Sequence, residues 1–221
     1  MREILHSYAL SAAPQRWMIL FNLAFIPLLI FVNGWQVLPI AVAVTSGSFL
    51  ATGVDNTCFS RYLTTMPIKP SKLILAQYII YTTALLAGVA MAVVCVFIIG
   101  GNLTIGFNIL LLVLGIWVTL YAITGPGKII KNYWLVILPL WVTIVIGQLY
   151  LVFGATTIHN TIRRAQSYGE IMESPIFYDT TRWLIFMGCS LTLFVLSYFA
   201  AVVIYKKFDY KERRISIWNY T

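Results

Sequence analysis

Four stretches of this chain, residues 17–54, 73–127, 132–162 and 183–205, contain no Asp, Glu, Lys or Arg. They are 38, 55, 31 and 23 residues long, so all 22 charged residues of the 221-residue chain fall in the other 74. With 60% hydrophobic and 10% charged residues, the composition does not suit a soluble fold. It suits a chain threaded repeatedly through a bilayer, where about 20 apolar helical residues cross the hydrocarbon and every backbone group bonds within its own helix. The expected fold class is all-α: one polytopic transmembrane domain over residues 1–221.

Turn residues divide the longer gaps. Asn33-Gly34 splits the first into spans at 16–33 and 35–54, and Gly100-Gly101-Asn102 splits the second into 73–99 and 104–124. The third gap holds one span at 134–155, ending where Thr156, Thr157, His159, Asn160 and Thr161 turn polar, and the fourth holds one at 183–205. Six spans place both termini on one side. That side carries Arg2, Arg16, Arg61, Lys69, Lys72, Lys128, Lys131, Lys206, Lys207, Lys211, Arg213 and Arg214, against Arg163, Arg164 and Arg182 on the other. An excess of twelve to three makes the first side cytoplasmic and the protein a multi-pass component of the cell membrane. The net charge of +8 therefore sets topology rather than nucleic-acid binding. The first apolar run has no cleavage pattern and stays in the mature protein.

The spans lack the groups that intramembrane chemistry needs. No ionisable side chain falls inside them, and His6 and His159 lie outside, which removes a proton relay, a metal site and a base for Ser46 or Ser48. Cys58, Cys95 and Cys189 have neither disulfide-framework nor zinc spacing. Gly125-Pro126-Gly127-Lys128 lacks the phosphate-loop pattern and reads as a helix break. Thr45-Ser46-Gly47-Ser48, Gly88, Ala92, Gly115 and Gly147 read as helix-packing positions. No cofactor, metal or catalytic residue is expected, and the chain is not expected to be an enzyme. Energy for any uphill movement has to come from another chain.

Residues 55–72, DNTCFSRYLTTMPIKPSK, are too polar to span. Phe59, Tyr62, Leu63 and Met66 recur at helical spacing, opposite Asn56, Ser60, Arg61 and Thr64, so a short amphipathic helix is predicted along the membrane surface. Met66 precedes Pro67 and leaves helical geometry; Pro70 suits the first turn of the next span. Asp55, the turn Tyr62-Leu63-Thr64-Thr65-Met66-Pro67-Ile68, Lys69, and Lys72 through Ile79 resemble the segment after the second span in permeases of type 2 ATP-binding-cassette exporters. The ending Ser197-Tyr198 through Ile204-Tyr205-Lys206-Lys207-Phe208-Asp209 is similar to that family's. Met66 replaces a commoner leucine, and Gln77 stands where lysine is usual.

This resemblance implies two permease subunits, identical or homologous, docked on two separate ATPase subunits in a bacterial membrane. It implies that Asp55, Phe59, Arg61, Tyr62 and Met66 couple the permease to the ATPase, and that Ile4, Leu5, Tyr8 and Ala12 belong to an interfacial elbow helix. The external stretch 156–182 is expected as a solvated loop with a short helix near Thr161 to Met172, in a region that can gate the exit in the family. Aromatic pairs such as Tyr78 and Tyr81, Trp117 and Tyr121, or Trp141 and Tyr150 suit either helix packing or contact with a hydrophobic or amphipathic cargo, such as a toxin peptide or antibiotic. Two other classes compete with an exporter: a membrane scaffold or chaperone anchoring a partner, and a membrane enzyme built on Asp55, Arg61, Lys128 and Lys131.

Overall fold

The computed structural model of the chain describes residues 70–99, 102–127, 133–164 and 174–218. The expected spans at 16–33 and 35–54, the N-terminal elbow and coupling residues 55–69 lie outside these. Among the described residues the chain is helical, with no strand. Helix α1 covers Pro70–Ile99, α2 Leu103–Gly127, α3 Tyr133–Phe153, α4 Ala155–Arg164 and α5 Thr180–Trp218; a 3-10 turn at Pro175–Tyr178 precedes α5. Four helices, α1, α2, α3 and α5, are long and apolar enough to cross a membrane. Their spanning parts show no polar face, as expected of helices bounded by both lipid and protein, whereas α4 is amphipathic.

Helix α2 is the axis of the bundle. It is the most buried of the four spans, and it packs on α1, α3, the 3-10 turn and, most extensively, α5. Contacts fix the directions of two neighbours. Asn108 meets Phe177 and Thr180, and Thr119 meets Ser190, so α2 and α5 run parallel. Tyr78 meets Ser197 and Tyr81 meets Phe194, so α1 runs antiparallel to α5. Leu135 and Leu151 of α3 are exposed.

Several boundaries differ from the sequence expectation, for local reasons. Asn102 Oδ1 accepts the Thr104 N–H at 3.0 Å, so it caps α2 and starts the helix at Leu103 rather than 104. At its other end α2 continues through Gly125 and Pro126 to Gly127, because a proline in the last turn interrupts little that follows. The stretch 156–182 is not a plain loop. Its α4 occupies Ala155–Arg164 and covers the first residues of the helix expected near Thr161 to Met172, the rest of which lies outside the described residues, and Ile158 packs against the core despite polar neighbours. Asp179 Oδ1 accepts the Arg182 N–H at 3.2 Å and caps α5 at Thr180; the part of α5 apolar enough to span, Thr180–Ile204, lies close to the expected span at 183–205, and the helix itself runs on to Trp218.

Gly154 separates α3 from α4 with φ of 81°. Its N–H donates to Tyr150 O at 2.9 Å, and its carbonyl accepts from Ile158 N at 3.3 Å, so the reversal costs no backbone bond at either side. A side chain at this φ costs about 1–2 kcal/mol. Gly154→Ala is expected to lower the thermal unfolding midpoint in detergent by about 2–8 °C, at roughly 2–4 °C per kcal/mol. Gly147 behaves differently: nothing lies within 4 Å of a Cβ built there, which corrects its assignment to helix packing. Gly147→Ala should leave the midpoint unchanged or raise it, since alanine is favoured over glycine by about 1 kcal/mol inside a helix.

Candidate functional site

Helices α1, α2 and α5 share a seam with three levels. Nearest the end that carries Lys72 and Lys206 is an aromatic cluster. Tyr81 stacks on Tyr121 with ring centroids 3.7 Å apart and planes 13° from parallel. Tyr78 meets Tyr121 edge-on at 5.3 Å, Tyr198 edge-on at 5.5 Å and Phe194 at 5.0 Å. Ser197 Oγ donates to Phe194 O at 2.7 Å, which uses its single proton, so the Tyr78 hydroxyl donates to Ser197 Oγ at 2.8 Å. The Tyr81 hydroxyl donates to Trp117 O at 2.9 Å. A Cβ on Gly125 would stand 2.8 Å from the Tyr78 hydroxyl oxygen, so α1 and α2 approach closely here. Tyr78, Tyr81 and Tyr121, which the sequence left open to packing or cargo, are buried between helices, while Tyr150 is exposed.

The middle level is polar and uncharged. Gly115 gives room to the fully buried Phe186 ring. One turn on, Ser190 Oγ donates to Phe186 O at 3.1 Å, and Thr119 Oγ1 donates to Ser190 Oγ at 3.1 Å. The Gln148 side-chain amide lies 3.4 Å from Thr119 Oγ1. With the Thr119 proton committed to Ser190, the amide completes this chain when its NH2 group faces Thr119 Oγ1; that donor, Nε2, is buried and otherwise has no partner. The result links α2, α3 and α5 at a depth where unpaired polar groups are costly. Sequence reasoning missed it by searching the spans for ionisable groups only; the available signal was three small or amide side chains inside charge-free runs.

The third level closes the opposite end. Asn108, fully buried on α2, donates from Nδ2 to Phe177 O at 2.6 Å and to Thr180 Oγ1 at 3.2 Å. Trp183 Nε1 donates to Ile176 O at 3.0 Å, and its ring packs on Phe153 at 4.5 Å and Phe177 at 5.8 Å. Arg182 pairs with Asp179 at 3.0 Å and reaches Phe153 O at 3.4 Å. The 3-10 turn is thus pinned into the bundle rather than left as a solvated loop. No cluster of His, Cys, Asp or Glu suited to a metal occurs among the described residues, and Cys95 and Cys189 are free thiols.

The five coupling candidates Asp55, Phe59, Arg61, Tyr62 and Met66 lie outside the described residues. What the described part defines is a multi-pass helical membrane protein with a packed, uncharged interior. Residues 4–206 match the family of ABC-2 family transporter proteins, and the chain belongs to that family: it is a permease subunit of an ABC transporter. Membership implies partnership with an ABC ATPase and with membrane lipid. No curated protein and no solved structure matches the chain.

Proposed function

We propose that this chain is the membrane-spanning permease of an ATP-driven exporter that pairs with a second permease, identical or homologous, and docks on two separate ATPase subunits. The family match over 4–206 is the observation that carries this reading. Six spans with both termini cytoplasmic complete the topology, with residues 55–72 as the element that receives ATPase closure. The chain itself hydrolyses no ATP. Its cargo is hydrophobic or amphipathic, such as an antimicrobial or toxin peptide or an antibiotic, in keeping with a helical seam built from aromatic and uncharged polar side chains.

The test is co-expression with an ABC ATPase that co-purifies with the unaltered chain. Asp55→Arg and Arg61→Asp should each reduce ATPase co-purification or cargo-stimulated hydrolysis by about tenfold or more, while the thermal midpoint of the permease alone stays within about 2 °C, as surface substitutions usually cost under 0.5 kcal/mol. A double variant with unchanged co-purification and unchanged export would remove the coupling role of this segment.

A further inference from the structure

An open groove of about 370 Å³ runs between α1 and α5 and is lined by residues of these two helices. Its walls include Leu75 and Ile79 on α1 and Val195 and Phe199 on α5, all exposed, and its floor is Tyr78 and Tyr198. From Leu75 to Thr83 it is about 12 Å long at 1.5 Å per residue. The lining is almost wholly apolar, since the Thr82 and Thr83 hydroxyls are turned back onto Tyr78 O and Ile79 O, each at 2.8 Å.

The two stripes that line the groove end in lysine at the same end of the bundle. On α1 the positions 75, 79 and 82 belong to the ridge that includes Lys72, three residues before Leu75. On α5 the positions 195 and 199 belong to the ridge that includes Lys206, seven residues after Phe199. Because Tyr78 pairs with Ser197 and Tyr81 with Phe194 in antiparallel register, Lys72 stands level with Val203. Lys206 is then three residues, or about 4.5 Å, further along the axis. Both lysines are exposed. Their stems can lie along the apolar walls with the ammonium groups at headgroup depth.

We propose that this groove is a site for one anionic phospholipid, its acyl chain along Leu75, Ile79, Val195 and Phe199 and its phosphate between Lys72 and Lys206. The apolar lining and exposed position suit an acyl chain, and the paired cations at one mouth distinguish an anionic headgroup from a zwitterionic one. A cation near an anionic lipid surface contributes about 1 kcal/mol, so two give roughly a 30-fold preference.

The full chain with Ile79 replaced by p-benzoyl-phenylalanine, in vesicles of equimolar phosphatidylglycerol and phosphatidylcholine, tests this by photo-crosslinking and mass spectrometry. The expected adduct is enriched in phosphatidylglycerol by about 30-fold over the adduct from the same probe at Leu151, an exposed position on α3. Lys72→Gln with Lys206→Gln should bring the two probes level, and Lys72→Arg with Lys206→Arg should restore the enrichment. Equal lipid classes in the wild-type adduct, enrichment that survives the glutamine pair, absence of a lipid adduct, or an adduct with residues 17–54 or with a second copy would each overturn the assignment.

Discussion

Gly115→Val should strongly destabilise the helical bundle. A Cβ at this position would lie 2.3 Å from Phe186 Cε1 and 2.8 Å from Cδ1. Phe186 cannot swing aside freely, because it is fully buried, meets Trp183 edge-on at 5.8 Å, and its carbonyl accepts the Ser190 hydroxyl. Overpacking of this kind costs about 1–3 kcal/mol for a methylene or two, and occasionally more. Valine adds the Cβ and two methyl groups to the tightest crossing of α2 and α5, so a loss of at least about 3 kcal/mol is expected. The readout is thermal unfolding in detergent, where the midpoint should fall by about 6–12 °C at 2–4 °C per kcal/mol. Gly115→Ala combined with Phe186→Leu, which removes the ring atoms that clash, should recover more stability than the sum of the two single changes predicts, since residues in contact couple by about 0.5–3 kcal/mol. Independent effects that simply add would mean that α2 and α5 do not meet at Gly115.

The exclusion of charge from hydrocarbon made the spans legible, yet it marks the membrane and not the helix. Arg182 lies inside α5, and the helix continues past Lys206 and Lys207 to Trp218, because a lysine or arginine is as good a helix former as leucine once it reaches water. The Asp-Thr-Thr-Arg pattern carries the cap, whereas Arg182 marks only where the charge-free run begins. The polar run at 156–161 suggested a loop for the same reason, although Ile158 and Ile162 at i and i+4 already carried a helical face.

Which residues meet was much less legible. Gly115 and Gly147 occupy similar apolar contexts in the sequence; among the described residues a Cβ on one would meet a neighbouring helix and a Cβ on the other would meet nothing, because the difference depends on how each helix is rotated in the bundle. The spans are apolar on all faces, so no amphipathic stripe announces that rotation. The chain from Gln148 through Thr119 and Ser190 to Phe186 O was hidden for the same reason. Each member is an unremarkable uncharged side chain until three helices converge. The resemblance in residues 55–72 pointed to the family through its turn and its basic residues, and residues 55–69 lie outside the described ones.

Tyr81 separates packing from cargo contact. It is the largest fully buried side chain among the described residues, stacked on Tyr121 and bonded to Trp117 O at 2.9 Å. Lipid tails give helices no hydrophobic drive toward each other, so the seam depends on close van der Waals contact and on a few interhelical hydrogen bonds. Truncation by Tyr81→Ala removes an aromatic ring that fills the space between α1 and α2, and loss of a buried ring typically costs about 3–5 kcal/mol. The unfolding midpoint should fall by roughly 6–20 °C at 2–4 °C per kcal/mol. Tyr81→Phe keeps the ring and the stack and loses only the hydroxyl, while Trp117 O still takes its backbone bond within α2. Interhelical hydrogen bonds in membranes average about 0.6 kcal/mol, so a fall of only about 1–3 °C is expected, with ATPase co-purification and export retained. A hydroxyl that served cargo would give the reverse order: Tyr81→Phe would depress export with the midpoint unmoved, and Tyr81→Ala would do the same without unfolding the bundle.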